Sequence, residues 1–118
     1  MVKQKQAALD VLFAALADPT RRAILLRLVE GAAPVTELAD PLPMSLPAVS
    51  RHLRVLEDAG LVAREREGRV HRMSLAAEPM LEAVEWMAAF GRFWEHRLDG
   101  LERFFASRPE RPGDEEAR

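Results

Sequence analysis

The sequence predicts a mainly α-helical domain carrying one small β-hairpin, and three observations predict it. Apolar residues recur at helical spacing through most of positions 7–107. Asp18-Pro19, Ser45 with Pro47, and the glycines at 31 and 60 punctuate that pattern as helix starts and stops. After Gly60 the period shortens toward alternation around Glu67-Gly68, which reads as two short strands. The expected order is α-α-α-α-β-β-α: a domain over 7–76, a long helix within 77–107, and flexible tails at 1–6 and 108–118.

Composition sets the limits. With 118 residues, 48% of them apolar, the chain is one domain with room for an extension. It contains no cysteine, which excludes disulfides, thiolate metal sites and cysteine redox chemistry. No apolar run approaches the roughly 20 residues of a membrane span. The opening MVKQKQAALD lacks the apolar segment of a secretory signal, so a cytoplasmic protein without membrane contact is expected. Net charge is −2, but it is unevenly spread. Residues 1–18 are neutral, 19–72 carry nine arginines against seven acids, and 73–118 carry six against ten. A local basic face on the middle segment is compatible with the acidic total.

In chain order, AALDVLFAALA over 7–17 spaces Leu9, Leu12, Phe13 and Leu16 for one helix. Asp18 caps a second helix with Pro19 at its first position, Ile24, Leu25 and Leu28 inward and Gly31 at its end. Arg21 and Arg22 lie in the first turn, where cations oppose the helix dipole. A partner is therefore expected for them: a phosphate, Asp10 or Asp18. Ala32-Ala33-Pro34 reads as a linker, and VTELAD as a short helix burying Val35 and Leu38.

The turn PLPM leads into the stretch the chain is built around, MSLPAVSRHLRVLEDAGL over 44–61. Ser45 is an N-cap, Pro47 sits in the first turn, and Gly60 suits the C-terminal left-handed position. Val49, Leu53 and Leu56 form the inward stripe, while Ser50, Arg51 and Arg54 face outward. Two helices joined by a tight turn, the second with a small hydroxyl-and-arginine front, make a helix-turn-helix. Such a front fits the major groove of DNA. A hairpin directly after it would be a wing, offering Arg66, Arg69, His71 and Arg72 to backbone or minor groove.

From 80 onward Met80, Val84, Met87, Gly91, Trp94, Leu98, Leu101 and Phe105 are separated alternately by four and three residues, the spacing of a coiled-coil seam. One helix of that length spans about 40 Å, more than a small core needs. A second copy of the chain is the economical cover for the remaining stripe; folding back on its own domain, or a hairpin near Gly91, is the alternative. Trp86, Phe90, Phe93 and Trp94 suit a core, an interface or an apolar effector pocket.

Taken together, LADPTRRAILLRLVEG, VTELAD, MSLPAVSRHLRVLEDAGLV and REGRVHRMSL resemble the ArsR-type winged helix-turn-helix repressors over residues 8–76. The resemblance implies a homodimer on a palindromic DNA operator, released by an effector whose identity is unknown. It places Ser45, Leu46, Pro47, Ser50 and Arg51 on the recognition helix, with His52 and Arg54 nearby. Arg66, Arg69 and Arg72 of the wing and Arg22 complete the expected DNA-binding set. Leu46-Pro47 departs from the polar pair commoner in the family, although Leu46 suits a thymine methyl. First and last helices would form the dimer interface through Leu9, Leu12, Phe13, Val84, Met87, Trp94, Leu98 and Leu101.

Other functions find less support. The family's cysteine metal site falls on Pro34 and Thr36, neither of them a ligand. A second metal arrangement would need His96 and Asp99, but Ala83 and Glu85 stand where its other half should be. No metal or other cofactor is expected. Ser50 and His52 lie about 200° apart around a helix, so the pair cannot work as nucleophile and base, and no enzyme is expected. A winged helix used for protein–protein contact, or a metal-sensing repressor using His96 and Asp99, is the alternative.

Overall fold

The computed structural model describes residues 2–107, without the side chains of residues 2–6 and of Trp94, His96, Leu98, Leu101, Phe105 and Ser107. The expected 108–118 tail, the contacts of Trp94, Leu98 and Leu101, and the His96 half of the metal alternative thus lie outside the described residues. The elements are α1 (Val2–Leu16), α2 (Pro19–Val29), β1 (Ala33–Pro34), α3 (Val35–Ala39), α4 (Leu46–Asp58), β2 (Val62–Glu67), β3 (Val70–Leu75), α5 (Met80–Ala88) and α6 (Gly91–Ser107). They form two units, one through Glu85 and one from Trp86 onward.

Three boundaries differ from the sequence reading. Helix α1 begins at Val2, so 2–6 is helical backbone and not a tail. Lysine and glutamine are good helix formers, but their polarity hides the period there. The linker before α3 contains the two-residue strand β1, which buries Ala33 against Met73. Pro34 has no N–H to donate, which suits this edge position. The single long helix is instead α5 and α6, separated at Ala89-Phe90. There the N–H groups of Ala89 and Phe90 bond to the carbonyls of Trp86 and Met87, three residues back. The turn tightens just before Gly91, a poor helix former.

The core of the first unit is a continuous cluster to which α1, α2, α4, β3 and α5 all contribute, including Leu12, Ile24, Val49, Leu53, Leu56, Leu61, Met73 and Ala83. Val35 is only half-buried at its edge, whereas Leu38 is fully inside. The sheet order is β1-β3-β2, antiparallel throughout. Glu67 pairs with Val70, leaving Gly68-Arg69 as the hairpin loop. Gly68 has φ +62° and Arg69 a negative φ, the arrangement of a type II′ turn. This is a winged helix-turn-helix. Among the described residues no helix is long and apolar enough to cross a membrane.

Candidate nucleic-acid interface

Both ends of α4 are fixed. At its start the Ser45 hydroxyl accepts from the Ala48 N–H at 3.3 Å. At its end the N–H of Gly60 bonds to Glu57 and that of Leu61 to Leu56, each at 2.9 Å, a Schellman closure with Gly60 at φ +74°. Val49, Leu53 and Leu56 are completely buried, which fixes the rotation of the helix about its axis. Ser45, Leu46, Pro47, Ser50, Arg51 and Arg54 are left exposed.

The arginines of this region fall into groups by partner. Arg51, and Arg69 at the wing tip, are exposed and make no hydrogen bond or ion pair among the described residues. Arg54 pairs with Asp58 one turn on at 3.3 Å, both well exposed. Arg66 donates to the Gly68 carbonyl within the wing, and Arg72 donates across to Ala32 at 3.4 Å. Between α4, the start of α3 and the wing lies a hollow of about 410 Å³, bordered by Thr36, Leu46, Ser50, Arg64, Arg69 and His71. His71 Nδ1 is buried there without a hydrogen-bond partner.

His52 and Arg22, also expected at DNA, likewise have partners within the protein. His52 is half-buried, its Nδ1 3.3 Å from Arg21, because its position on α4 faces the start of α2. Arg22 donates to the Leu16 carbonyl at 2.8 Å. Arg21 donates to Ala15 and Ala14, at 2.7 and 2.9 Å. The cations at the start of α2 thus serve the electron-rich end of α1, a partner the sequence reading did not weigh. Asp18 does cap α2, accepting from the Arg21 N–H at 3.0 Å. That bond holds its carboxyl below the usual range, against the opposing effect of desolvation and with help from neighbouring charge.

Sequence reasoning also missed Arg64 and Glu57. Nη2 and Nε of Arg64 reach the same Glu57 oxygen at 2.6 and 3.2 Å, joining the base of the wing to α4. The hydrogen bond raises the guanidinium pKa beyond its already high ordinary value. The signal was a seven-residue separation across the Gly60 turn, which looks like neither a helix pair nor a strand pair.

Comparison with known proteins accords with this geometry. The family model described as a helix-turn-helix domain matches residues 16–65. The HTH-type transcriptional regulator Rv2034 of Mycobacterium tuberculosis is 41% identical over 100 residues, covering 83% of this chain and 89% of that protein. The crystal structure of an ArsR family transcriptional regulator, RHA00566, is 42% identical with TM-score 0.71, over 76% of this chain and 93% of that one. The chain belongs to the ArsR family. It is a DNA-binding transcriptional regulator and not an enzyme. The solution structure of the homodimeric winged helix-turn-helix domain of Mb0332 from Mycobacterium bovis is also similar, at 29% identity and TM-score 0.59 over 77% of this chain and 86% of that one.

The residues expected at a self-association surface differ in exposure. In the first unit Val11 and Phe13 of α1 and Leu81 and Val84 of α5 are exposed. Leu12, expected at an interface, is 2% exposed and belongs to the monomer core, because the inward stripe of α1 runs through Leu12 and Ala15. Leu9 is half-buried against the same core. In the second unit Met87, Phe90 and Phe93 are exposed; Phe90 meets Trp86 edge-on at 5.2 Å, and Arg97 lies over the Phe93 ring at 5.0 Å.

Proposed function

We propose that the chain represses transcription as a cytoplasmic homodimer, joined through its terminal helices and bound to a palindromic operator. Each α4 enters a major groove with Ser50 and Arg51 toward base edges and Leu46 toward a thymine methyl. Arg54 reaches phosphate. The wing, with Arg66, Arg69 and Arg72, lies along the neighbouring backbone and minor groove. The hollow between helix and wing receives the strand that passes between them.

The observation that carries this reading is the pair of exposed guanidiniums of Arg51 and Arg69, one on α4 and one at the wing tip, neither held by another described residue. The exposed apolar residues of α1 and α5 support the dimer. Selection of bound fragments from genomic DNA, followed by footprinting, tests the proposal. Half-sites should be centred about 10 bp apart. Arg69→Ala should weaken all duplexes alike and lower the salt slope by about one, while Arg51→Ala should relax preference at one base position by about 1–3 kcal/mol. A single short footprint, or unchanged binding in both variants, would refute it.

A further inference from the structure

His52 follows Arg51 on α4 but turns toward the beginning of α2. Its Nδ1 lies 3.3 Å from Arg21 Nη1 and 3.8 Å from Asp18 Oδ2. Arginine has no acceptor and keeps its proton, so the shorter contact requires a bare Nδ1 that accepts. The longer contact is an ion pair only when Nδ1 carries a proton. One ring atom cannot satisfy both, and its protonation decides between them. Meanwhile Nε and Nη2 of Arg21 hold the carbonyls of Ala15 and Ala14 at the end of α1. One guanidinium thus spans from α1 to α4.

We propose that Arg21 is a positioning residue for DNA binding, tethering α4 to the end of α1, and that protonation of His52 releases the tether. This rests on α4 being the helix that enters the groove. Among the described residues the charged groups facing the imidazole are Asp18 and Arg21, from α2 and its cap. Helix α1 presents backbone carbonyls, and they take the guanidinium. On α4 itself the positions one turn away are Ala48, Val49, Val55 and Leu56, none of them charged. When Nδ1 gains a proton, it and Nη1 become two opposed donors. The imidazole then turns to Asp18, and α4 loses its bond to the residue that grips α1.

The sign of the pH effect separates this role from direct DNA contact. An imidazole on phosphate would tighten binding in acid, whereas the tether weakens it. Imidazoles ordinarily change charge between about pH 5 and 8. Affinity for a labelled duplex taken from the genomic selection is therefore measured at constant salt from about pH 7.5 to 5.8, by anisotropy. Wild type should weaken roughly tenfold on acidification, the loss of one bond to a charged donor. His52→Asn, whose Oδ1 accepts from Arg21 at any pH, should match wild type at the upper pH and stay flat. Arg21→Lys keeps the charge without the forked donors and should bind roughly tenfold more weakly throughout. Unchanged or tighter binding of wild type in acid, a wild-type pH profile in His52→Asn, or wild-type affinity in Arg21→Lys would overturn the proposal. A second arm omits DNA: the NMR signals of the Arg21 guanidinium should shift with His52 titration in wild type and not in His52→Asn. If no duplex binds, the DNA-binding reading fails, and this arm alone decides the tether: guanidinium signals indifferent to that titration refute it.

Discussion

Cutting the Glu57–Arg64 pair should destabilise the fold more than its place at the surface suggests. Both Arg64 nitrogens converge on one oxygen at 2.6 and 3.2 Å, and the side chains are only 24% and 30% exposed. Unit charges 4 Å apart near a protein surface attract by about 4 kcal/mol before desolvation and side-chain ordering are subtracted. Charge-assisted hydrogen bonds retain about 1.5–3 kcal/mol net, and partial exposure reduces this to a coupling of about 1–2 kcal/mol. The chain contains its own control. Arg54–Asp58 is in contact at 3.3 Å, but its side chains are 77% and 68% exposed, and an i,i+4 pair of that kind contributes about 0.3–0.5 kcal/mol. Urea unfolding of the single and double alanine variants of each pair gives both couplings. In about 1 M salt the exposed pair should fade while Glu57–Arg64 persists. Equal couplings for the two pairs would refute the claim that the wing is anchored to α4 through this contact.

Three further outcomes are expected. Leu53→Ala, at a completely buried position, should cost about 2–5 kcal/mol, measured by denaturant unfolding. Gly60→Ala should cost about 1–2 kcal/mol because φ is +74°; the added Cβ would meet Pro79 Cγ at an ordinary 3.4 Å, so backbone strain and not collision sets the loss. Asp18 has a carboxyl pKa lowered on folding, so its contribution is present above the unfolded value and disappears as pH falls through the folded one. Below about pH 4 the wild type should lose this contribution, and Asp18→Asn should lack that part of the acid transition in thermal melts.

The helix starts and stops were legible because they depend on local chemistry. Asp18-Pro19, Ser45 and Gly60 act within four residues of themselves, and each holds the role its residue type implies. The outward face of α4 was equally legible, since burying Val49, Leu53 and Leu56 leaves Ser50, Arg51 and Arg54 no other side. What the sequence concealed was which polar group meets which. His52 reads as a neighbour of the DNA-contacting positions until the start of α2 is packed beside it, 31 positions earlier in the chain. Arg21 and Arg22 show an unmet electrostatic demand, but carbonyl acceptors have no residue identity and do not stand out in a sequence. Leu12 shares its helix with exposed Val11 and Phe13, and only the packed core separates interior from interface there.

The partners of the arginines also explain how an acidic chain can bind DNA. Within 19–72, Arg27, Arg54 and Arg64 are offset by Glu37, Asp58 and Glu57. Arg21, Arg22, Arg66 and Arg72 bond to neutral carbonyls, which organise a guanidinium without cancelling its charge. Together with Arg51 and Arg69 these leave a small positive excess against Glu30, Asp40, Glu65 and Glu67. Each phosphate neutralised steepens the dependence on salt, so a segment with so small a positive excess should hold random DNA weakly at physiological ionic strength. In the proposed dimer two such faces make the second contact intramolecular, so affinity should rise steeply only where both half-sites are present. On that proposal a weakly basic face and a dimer belong to one solution: the low charge suppresses binding elsewhere, and the pairing restores it at the operator.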